Sequence, residues 1–160
     1  MAVGAGTLPD FKIVKGFELG VASAGIKSLG HKDLVIMKFP EASTVAGVFT
    51  TNAFCAAPVH IAKDHLSKGK SQYLLVNTGN ANAGTGEEGF SHANRCCDAV
   101  AHQVNVTADA VLPFSTGVIG ETLPVEKIVS AIPEALESLA ENHWAEAAEG
   151  ILTTDTRPKG

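Results

Sequence analysis

The sequence has few charged residues and no cluster of basic ones. Charged residues make up 18% of the 160 residues, whereas typical globular proteins have about 25%. The net charge is -5, and lysine and arginine are scattered along the chain. Without a basic stripe, nucleic acid is not an expected ligand. The low charge content also leaves less surface suited to water, which indicates a protein partner.

Long apolar runs and paired cysteine motifs are also missing. No stretch approaches the ~18 apolar residues that span a bilayer, and residues 1–11 lack a basic segment followed by an apolar one. The three cysteines, Cys55, Cys96 and Cys97, are an odd number without a CxxC spacing, which favours reduced thiols. We therefore expect a cytoplasmic protein without a targeting signal.

Metal-binding patterns are absent in the same way. The six histidines form neither HxxxH nor HExxH, and none pairs with a cysteine at zinc-finger spacing. Cys96 and Cys97 fall in the middle of a predicted helix, where thiols usually serve packing rather than nucleophilic attack. We expect no metal site and no cysteine nucleophile.

Apolar patterning predicts an α+β protein. β-branched runs bounded by turn residues predict a meander of strands at residues 21–24, 34–39 and 45–50, with further strands at 73–76 and 110–114. Helical spacing predicts helices at residues 62–68, at 87–103 and from about 122, with Pro133 kinking or ending the last one. Further helical segments follow up to Ile151. We expect one domain over residues 1–160, with helices on at least one sheet face.

A glycine-rich segment matches the dinucleotide-binding pattern GxGxxG at residues 84–89. Its first glycine lies eight residues beyond Val76, too far for a tight turn between strand and helix. Glu87 and Glu88 would also put negative charge where a pyrophosphate must bind. Loop glycines explain the match better than nucleotide binding.

Two polar clusters allow more than one interpretation. The Asn-rich residues 77–83 leave a predicted buried strand and suit a tight loop whose amides bridge backbone groups. Loops that leave sheet ends also line pockets. Residues 153–156 have the sequence Thr-Thr-Asp-Thr, which suits either hydroxyl contacts to a small polar ligand or the end of a helix.

The segment Ser115-Thr116-Gly117 ends an apolar strand. A hydroxyl beside a glycine offers one side-chain O–H and one unhindered backbone N–H to the same point, and a developing oxyanion needs such a pair. An ordinary turn with a satisfied hydroxyl has the same sequence, so both interpretations stay open on these residues alone.

Taken together and in order, these segments resemble the landmarks of the arginine-biosynthesis glutamate/ornithine N-acetyltransferase family. The matching segments are residues 21–27, 33–34, 46–50, 56–59, 77–83 with 85–86, 115–120 and 153–156. The resemblance implies an N-terminal-nucleophile-like αββα sandwich. It implies an α chain and a β chain cut from one precursor, assembled as an α2β2 heterotetramer, with the nucleophilic threonine at the N-terminus of the β chain.

The implied activity is transfer of an acetyl group from N-acetylornithine to glutamate through an acetyl-enzyme. Acetyl-CoA is left open as a co-substrate, and no resident cofactor or metal is expected. The family's oxyanion donors correspond to Thr116 and Gly117, and its substrate contacts to Thr153 first and Thr154 second.

The family's Lys-Gly-x-Gly-Met stretch and its cleavage junction are not found in these 160 residues. We therefore expect this α-chain domain to lack its C-terminal part up to the cleavage site, and the nucleophile to lie elsewhere. Two alternatives stay open: a self-processing amidohydrolase or aminopeptidase of similar architecture, and a noncatalytic binding domain.

Overall fold

The computed structural model of the chain describes residues 8–155, 157 and 158. Thr156, the last residue of the hydroxyl cluster, and both ends of the predicted 1–160 domain lie outside these residues. Within the described ranges, every helix is too short or too polar to cross a bilayer.

The described residues form a four-stranded sheet in which neighbours in sequence are neighbours in space. Its strands are β1 (Glu18–Ala22), β2 (Leu34–Lys38), β3 (Tyr73–Asn80) and β4 (Val111–Val118). β1, β2 and β3 pair antiparallel, while β3 and β4 pair parallel. β3 and β4 therefore finish at the same end of the sheet, and the loops that follow them meet there.

Four α-helices accompany the sheet, and with it they confirm the predicted α+β class. They are α1 (Ala57–Ser67), α2 (Gly86–Val104), α3 (Val125–Glu137) and α4 (Trp144–Gly150). α2 matches the amphipathic helix predicted at 87–103, and its Glu87 and Glu88 favour the helix N-terminus. α1 starts five residues earlier than predicted and has Pro58 in its first turn.

Strand alternation divides the apolar residues between two faces of the sheet. One face packs against α1, α2 and α3 and holds the main core, including Leu34, Ile36, Leu75, Val111 and Ile132. The opposite face holds a smaller cluster of Leu19, Val35 and Ala147, where α4 packs on β1 and β2. α4 leaves the β3–β4 side of this second face without a helix.

The strand predicted at residues 45–50 is wrong, and of the two outcomes predicted for Pro133, a kink or an end of the helix, the end is excluded. Residues 45–50 form no strand. The segment instead lines a groove together with α1, β3 and β4, and a Cβ on Gly47 would lie 3.0 Å from Leu66 Cδ2 of α1. Pro133 does not end α3, which continues to Glu137. Burial of Ile128, Ile132 and Ala135 on its apolar face compensates for the one hydrogen bond that the proline removes.

Candidate functional site

The predicted site residues meet in a cleft at the carboxyl ends of β3 and β4. The parallel register sets Ser115 beside Asn77, Thr116 beside Thr78 and Gly117 beside Gly79. The cleft has a volume of about 440 Å³ and is lined by Lys27, Gly79, Thr116, Gly117, Val118, Thr153 and Thr154. We call it the Thr116 cleft. All four residues predicted to carry the site border it.

The backbone of Gly117 explains why a glycine follows Thr116. Its φ of +136° is a conformation that side chains rarely adopt. A Cβ at this position would lie 2.6 Å from the backbone N of Asn80 and would also overlap the carbonyl carbon of Gly79. Gly117 is exposed and lines the cleft, so a ligand there would lie beside its backbone.

The hydroxyls of Ser115 and Thr116 differ in what they bind. The Ser115 hydroxyl donates to Asn77 Oδ1 at 2.5 Å. The half-buried Thr116 hydroxyl has no hydrogen-bond partner in the part of the chain that the structure describes. Strand alternation also directs the two side chains to opposite faces of the sheet. Of the two, only the Thr116 hydroxyl is available to a ligand in the cleft.

Thr153 and Thr154 reach the cleft because α4 ends beside β3. The Thr78 hydroxyl donates to the carbonyl of Gly150, the last residue of α4, at 2.7 Å. Gly150 itself is required here, since a Cβ would lie 2.6 Å from Val35 Cγ2. The chain then passes Lys27, which donates to the Thr153 carbonyl at 2.6 Å.

The Asn-rich loop has mainly a structural role. The fully buried Asn82 donates to the Gly89 carbonyl at 2.9 Å and accepts from the Thr85 hydroxyl at 2.8 Å. Asn80 donates to the carbonyls of Glu121 and Thr122. These bonds support the interpretation that the amides bridge backbone groups. Of this loop, only Gly79 lines the cleft.

The GxGxxG segment is explained by packing. α2 begins at Gly86, and Gly89 lies in its first turn. A Cβ on Gly89 would lie 2.7 Å from Asn82 Oδ1. The glycine is therefore needed for the close contact between α2 and residues 82–85. Of the three glycines predicted to lie in a loop, only Gly84 does.

The cysteines of α2 lack the properties of nucleophiles. Burial raises the pKa of the Cys96 thiol to about 12 and raises the pKa of Cys97 further. Since the thiolate is the reactive form, both thiols are inert near neutral pH. Among the described residues, no three His, Cys, Asp or Glu side chains are grouped where they could hold a metal ion.

Sequence reasoning did not single out two residues of the cleft, Lys27 and Gly79. Lys27 lies in the loop between β1 and β2, where a single lysine has no informative spacing. Gly79 falls in the segment predicted as an Asn-rich loop but lies in β3, and its φ of +110° and its contact with Lys27 depend on the tertiary fold. Both residues lie in segments that carry the family resemblance, 21–27 and 77–83, but neither segment assigns them a role at a site.

An apolar groove of about 700 Å³ crosses the sheet face that α4 leaves open. Its floor is formed by strand residues including Met37, Leu74, Val76, Leu112 and Phe114. Phe114 is 43% exposed, and Val48, in the segment 45–50 that also lines the groove, is fully exposed. Thr116 lies at one end of this groove, so the open apolar face and the Thr116 cleft adjoin.

Comparison with known proteins identifies relatives over most of the chain. Residues 18–160 match the model of the ArgJ family. The arginine biosynthesis bifunctional protein ArgJ of Pseudomonas syringae pv. tomato is 61% identical over all 160 residues. The protein of the same name from Methylococcus capsulatus is 53% identical over 154 residues. The chain spans 39% and 38% of the lengths of these two relatives.

Two solved structures resemble the fold. The ornithine acetyltransferase of Mycobacterium tuberculosis, crystallised with ornithine, superposes with a TM-score of 0.86 at 34% identity. That match covers 91% of this chain and 79% of the solved one. The arginine biosynthesis bifunctional protein ArgJ of Bacillus halodurans superposes with a TM-score of 0.76 at 32% identity, covering 89% of this chain and 74% of that one.

Proposed function

Because the chain belongs to the ArgJ family, we propose that it is the α chain of an acetyltransferase of arginine biosynthesis. The enzyme moves the acetyl group of N-acetylornithine to glutamate. The observation that carries this proposal is that one cleft brings together the exposed Gly117, Thr153 and a Thr116 hydroxyl that has no partner among the described residues.

The proposed reaction has two halves. A threonine hydroxyl of a second chain attacks the acetyl carbonyl of N-acetylornithine, and the C–N bond breaks as the hydroxyl proton passes to the leaving amine through a nearby base. Ornithine leaves, and the acetyl group stays on the threonine as an ester. The amine of glutamate then attacks this ester, which releases N-acetylglutamate and restores the hydroxyl.

Each half-reaction passes through a tetrahedral intermediate with a negative oxygen. We assign Thr116 Oγ1–H and Gly117 N–H as the two donors to this oxyanion. Such donors lower the barrier most when they are fixed before the reaction. The pairing of β4 with β3 and the glycine contact between positions 117 and 79 support this assignment, because both hold this part of β4 rigid.

We assign substrate binding on this chain to Thr153, with Thr154 second. Their place in the Thr116 cleft supports the assignment, since a substrate there would lie beside both threonines and the oxyanion donors. No resident cofactor is part of the proposal, and acetyl-CoA remains a candidate second acetyl donor.

The proposal includes a β chain from the same precursor, which supplies the nucleophile and the second sheet of an αββα sandwich. The open apolar groove over β2, β3 and β4 supports the proposal, because an apolar surface exposed to water is typical of a site where a partner packs. We propose an α2β2 assembly in the cytoplasm. The free thiols of Cys55, Cys96 and Cys97 fit a reducing compartment.

The test is ornithine release by the full-length protein, measured with N-acetylornithine in the presence and absence of glutamate. We expect one ornithine per active site without glutamate and continuous turnover with it. Continuous release without glutamate would replace the proposal with an amidohydrolase. No release under either condition would favour a noncatalytic binding domain.

A further inference from the structure

The ammonium group of Lys27 connects the loop between β1 and β2 to the segment that follows α4. It donates to the Thr153 carbonyl at 2.6 Å and lies 3.5 Å from the Leu152 carbonyl. Both carbonyls lie just beyond the last residue of α4. The lysine therefore holds the segment that follows the helix, and its charge strengthens both hydrogen bonds.

The backbone of Lys27 is itself held firmly. The fully buried Asp33 carboxylate accepts N–H bonds from Ala24 at 2.7 Å, from Ile26 at 2.6 Å and from Lys27 at 3.1 Å. These charge-assisted bonds fix the loop in one shape. The lysine is therefore presented from a rigid base.

Gly79 allows this loop to approach the site. A Cβ on Gly79 would lie 3.1 Å from Lys27 Cβ and 3.0 Å from Ile26 Cγ2. The same glycine contacts Gly117 on its other neighbouring strand. The loop that carries Lys27 and the proposed oxyanion donor at Gly117 thus pack on one small residue of β3.

From these contacts we propose that Lys27 is a positioning residue that holds the Thr153–Thr154 segment at the Thr116 cleft and thereby sets the affinity for the amino-acid substrates. The proposal rests on the proposed function in one respect, that this segment contacts substrate. Without the lysine, the Thr153–Thr154 segment samples positions away from the cleft. Part of the free energy of substrate binding is then used to bring the segment back to the cleft. That cost raises KM more than it lowers kcat.

The experiment compares Lys27→Met and Lys27→Arg in the full-length protein. Lys32→Met is the matched control, because Lys32 lies in the same loop and also reaches the α4 region, through Glu149 at 3.2 Å, without lining the cleft. We expect about a tenfold higher KM for N-acetylornithine in Lys27→Met, which is a typical cost of a charged hydrogen bond near the surface. The kcat should change less than twofold, and Lys27→Arg should restore most of the affinity.

Hydrogen exchange gives a second readout that does not depend on activity. Amides at 152–155 should exchange faster in Lys27→Met than in the wild type, and at the wild-type rate in Lys32→Met. An unchanged KM with unchanged exchange overturns the proposal, and so does an equal effect in Lys32→Met. If the Met variant misfolds, Lys27→Gln takes its place in the same comparison. Absent transfer in the wild type would count against the proposed function, while the exchange data would still test Lys27.

Discussion

At the residue scale, Thr116 and Gly117 are constrained by different forces. Position 117 requires glycine for steric reasons, since its backbone conformation and its contact with Gly79 exclude a side chain. Thr116 is not fixed in this way: its hydroxyl is unpaired within the described residues, while that of Ser115 is occupied by Asn77. A residue that packing does not require, beside one that it does, is the arrangement expected of a functional donor.

Replacing Thr116 by alanine in the full-length protein should lower kcat about 10²–10³-fold, because one of two oxyanion donors is lost. Thr116→Ser keeps the hydroxyl and should retain most of the activity. Steady-state kinetics with N-acetylornithine and glutamate measure both. Ser115→Ala is the control, since its hydroxyl is already bonded to Asn77. An equal loss of kcat in Ser115→Ala and Thr116→Ala would contradict the assignment.

Thiol labelling tests the burial of Cys96 and Cys97. Burial raises the pKa of Cys96 to about 12 and the pKa of Cys97 further, so neither forms thiolate as the pH rises from 7 to 9. Iodoacetamide should label Cys55, which is only partly buried, and leave the other two unmodified until the protein is denatured. Peptide mass spectrometry after native labelling measures this. Modification of Cys96 at pH 8 would show that α2 is less firmly packed.

The place of Thr116 and Gly117 in a cleft could be predicted from the sequence, whereas that of Lys27 could not. A hydroxyl followed by glycine after an apolar strand is a local pattern, although the pattern alone leaves an ordinary turn open and only the family resemblance favours the oxyanion role. Lys27 acts on carbonyls more than a hundred residues away in sequence. Only the fold brings these groups together, so no spacing along the chain indicates it.

At the element scale, α3 packs unusually close to β1. A Cβ on Gly20 would overlap the carbonyl oxygen of Ala135. Hydrogen bonds from Ser138 Oγ to the carbonyl of Val21, and from the N–H of Val21 to Ser138 Oγ, join the same two elements. The glycine therefore sets the distance between the helix and the sheet.

Gly20→Val should force α3 away from β1 and cost about 1–3 kcal/mol of stability, the usual cost of overpacking a core. In the full-length protein we expect the melting temperature to fall by roughly 5 °C. Ser23→Val, at an exposed position just after β1, should have little effect. Differential scanning calorimetry measures both variants. A Gly20→Val protein as stable as the wild type would mean that α3 has room to move.

Elements such as α2 and β3 were predictable because the spacing of apolar residues within each one is enough to indicate a helix or a buried strand. Residues 45–50 were not, because β-branched residues show only that a segment fits an apolar surface and not that it pairs with a strand. In the fold that segment lies over the open sheet face, with Val48 fully exposed. The continuation of α3 beyond Pro133 likewise depends on the tertiary contacts of its buried face.

At the scale of the whole molecule, the scarcity of charge and the open apolar groove have one explanation. Only 18% of residues are charged, and the groove joins the Thr116 cleft at Thr116. A second chain packed in the groove would bring its own residues directly to the proposed oxyanion donors. The chain spans 39% of the length of its Pseudomonas syringae relative, which leaves room for the proposed β chain in a precursor of that length.

The most direct test is to find where the acetyl group is held between the two half-reactions. The purified enzyme is incubated with N-acetylornithine in the absence of glutamate, quenched in acid and analysed by intact-mass spectrometry. We predict that the second chain gains the mass of one acetyl group, that the chain described above stays unmodified, and that glutamate removes the group. Acetylation of the present chain, or of neither chain while ornithine is released, would contradict the account.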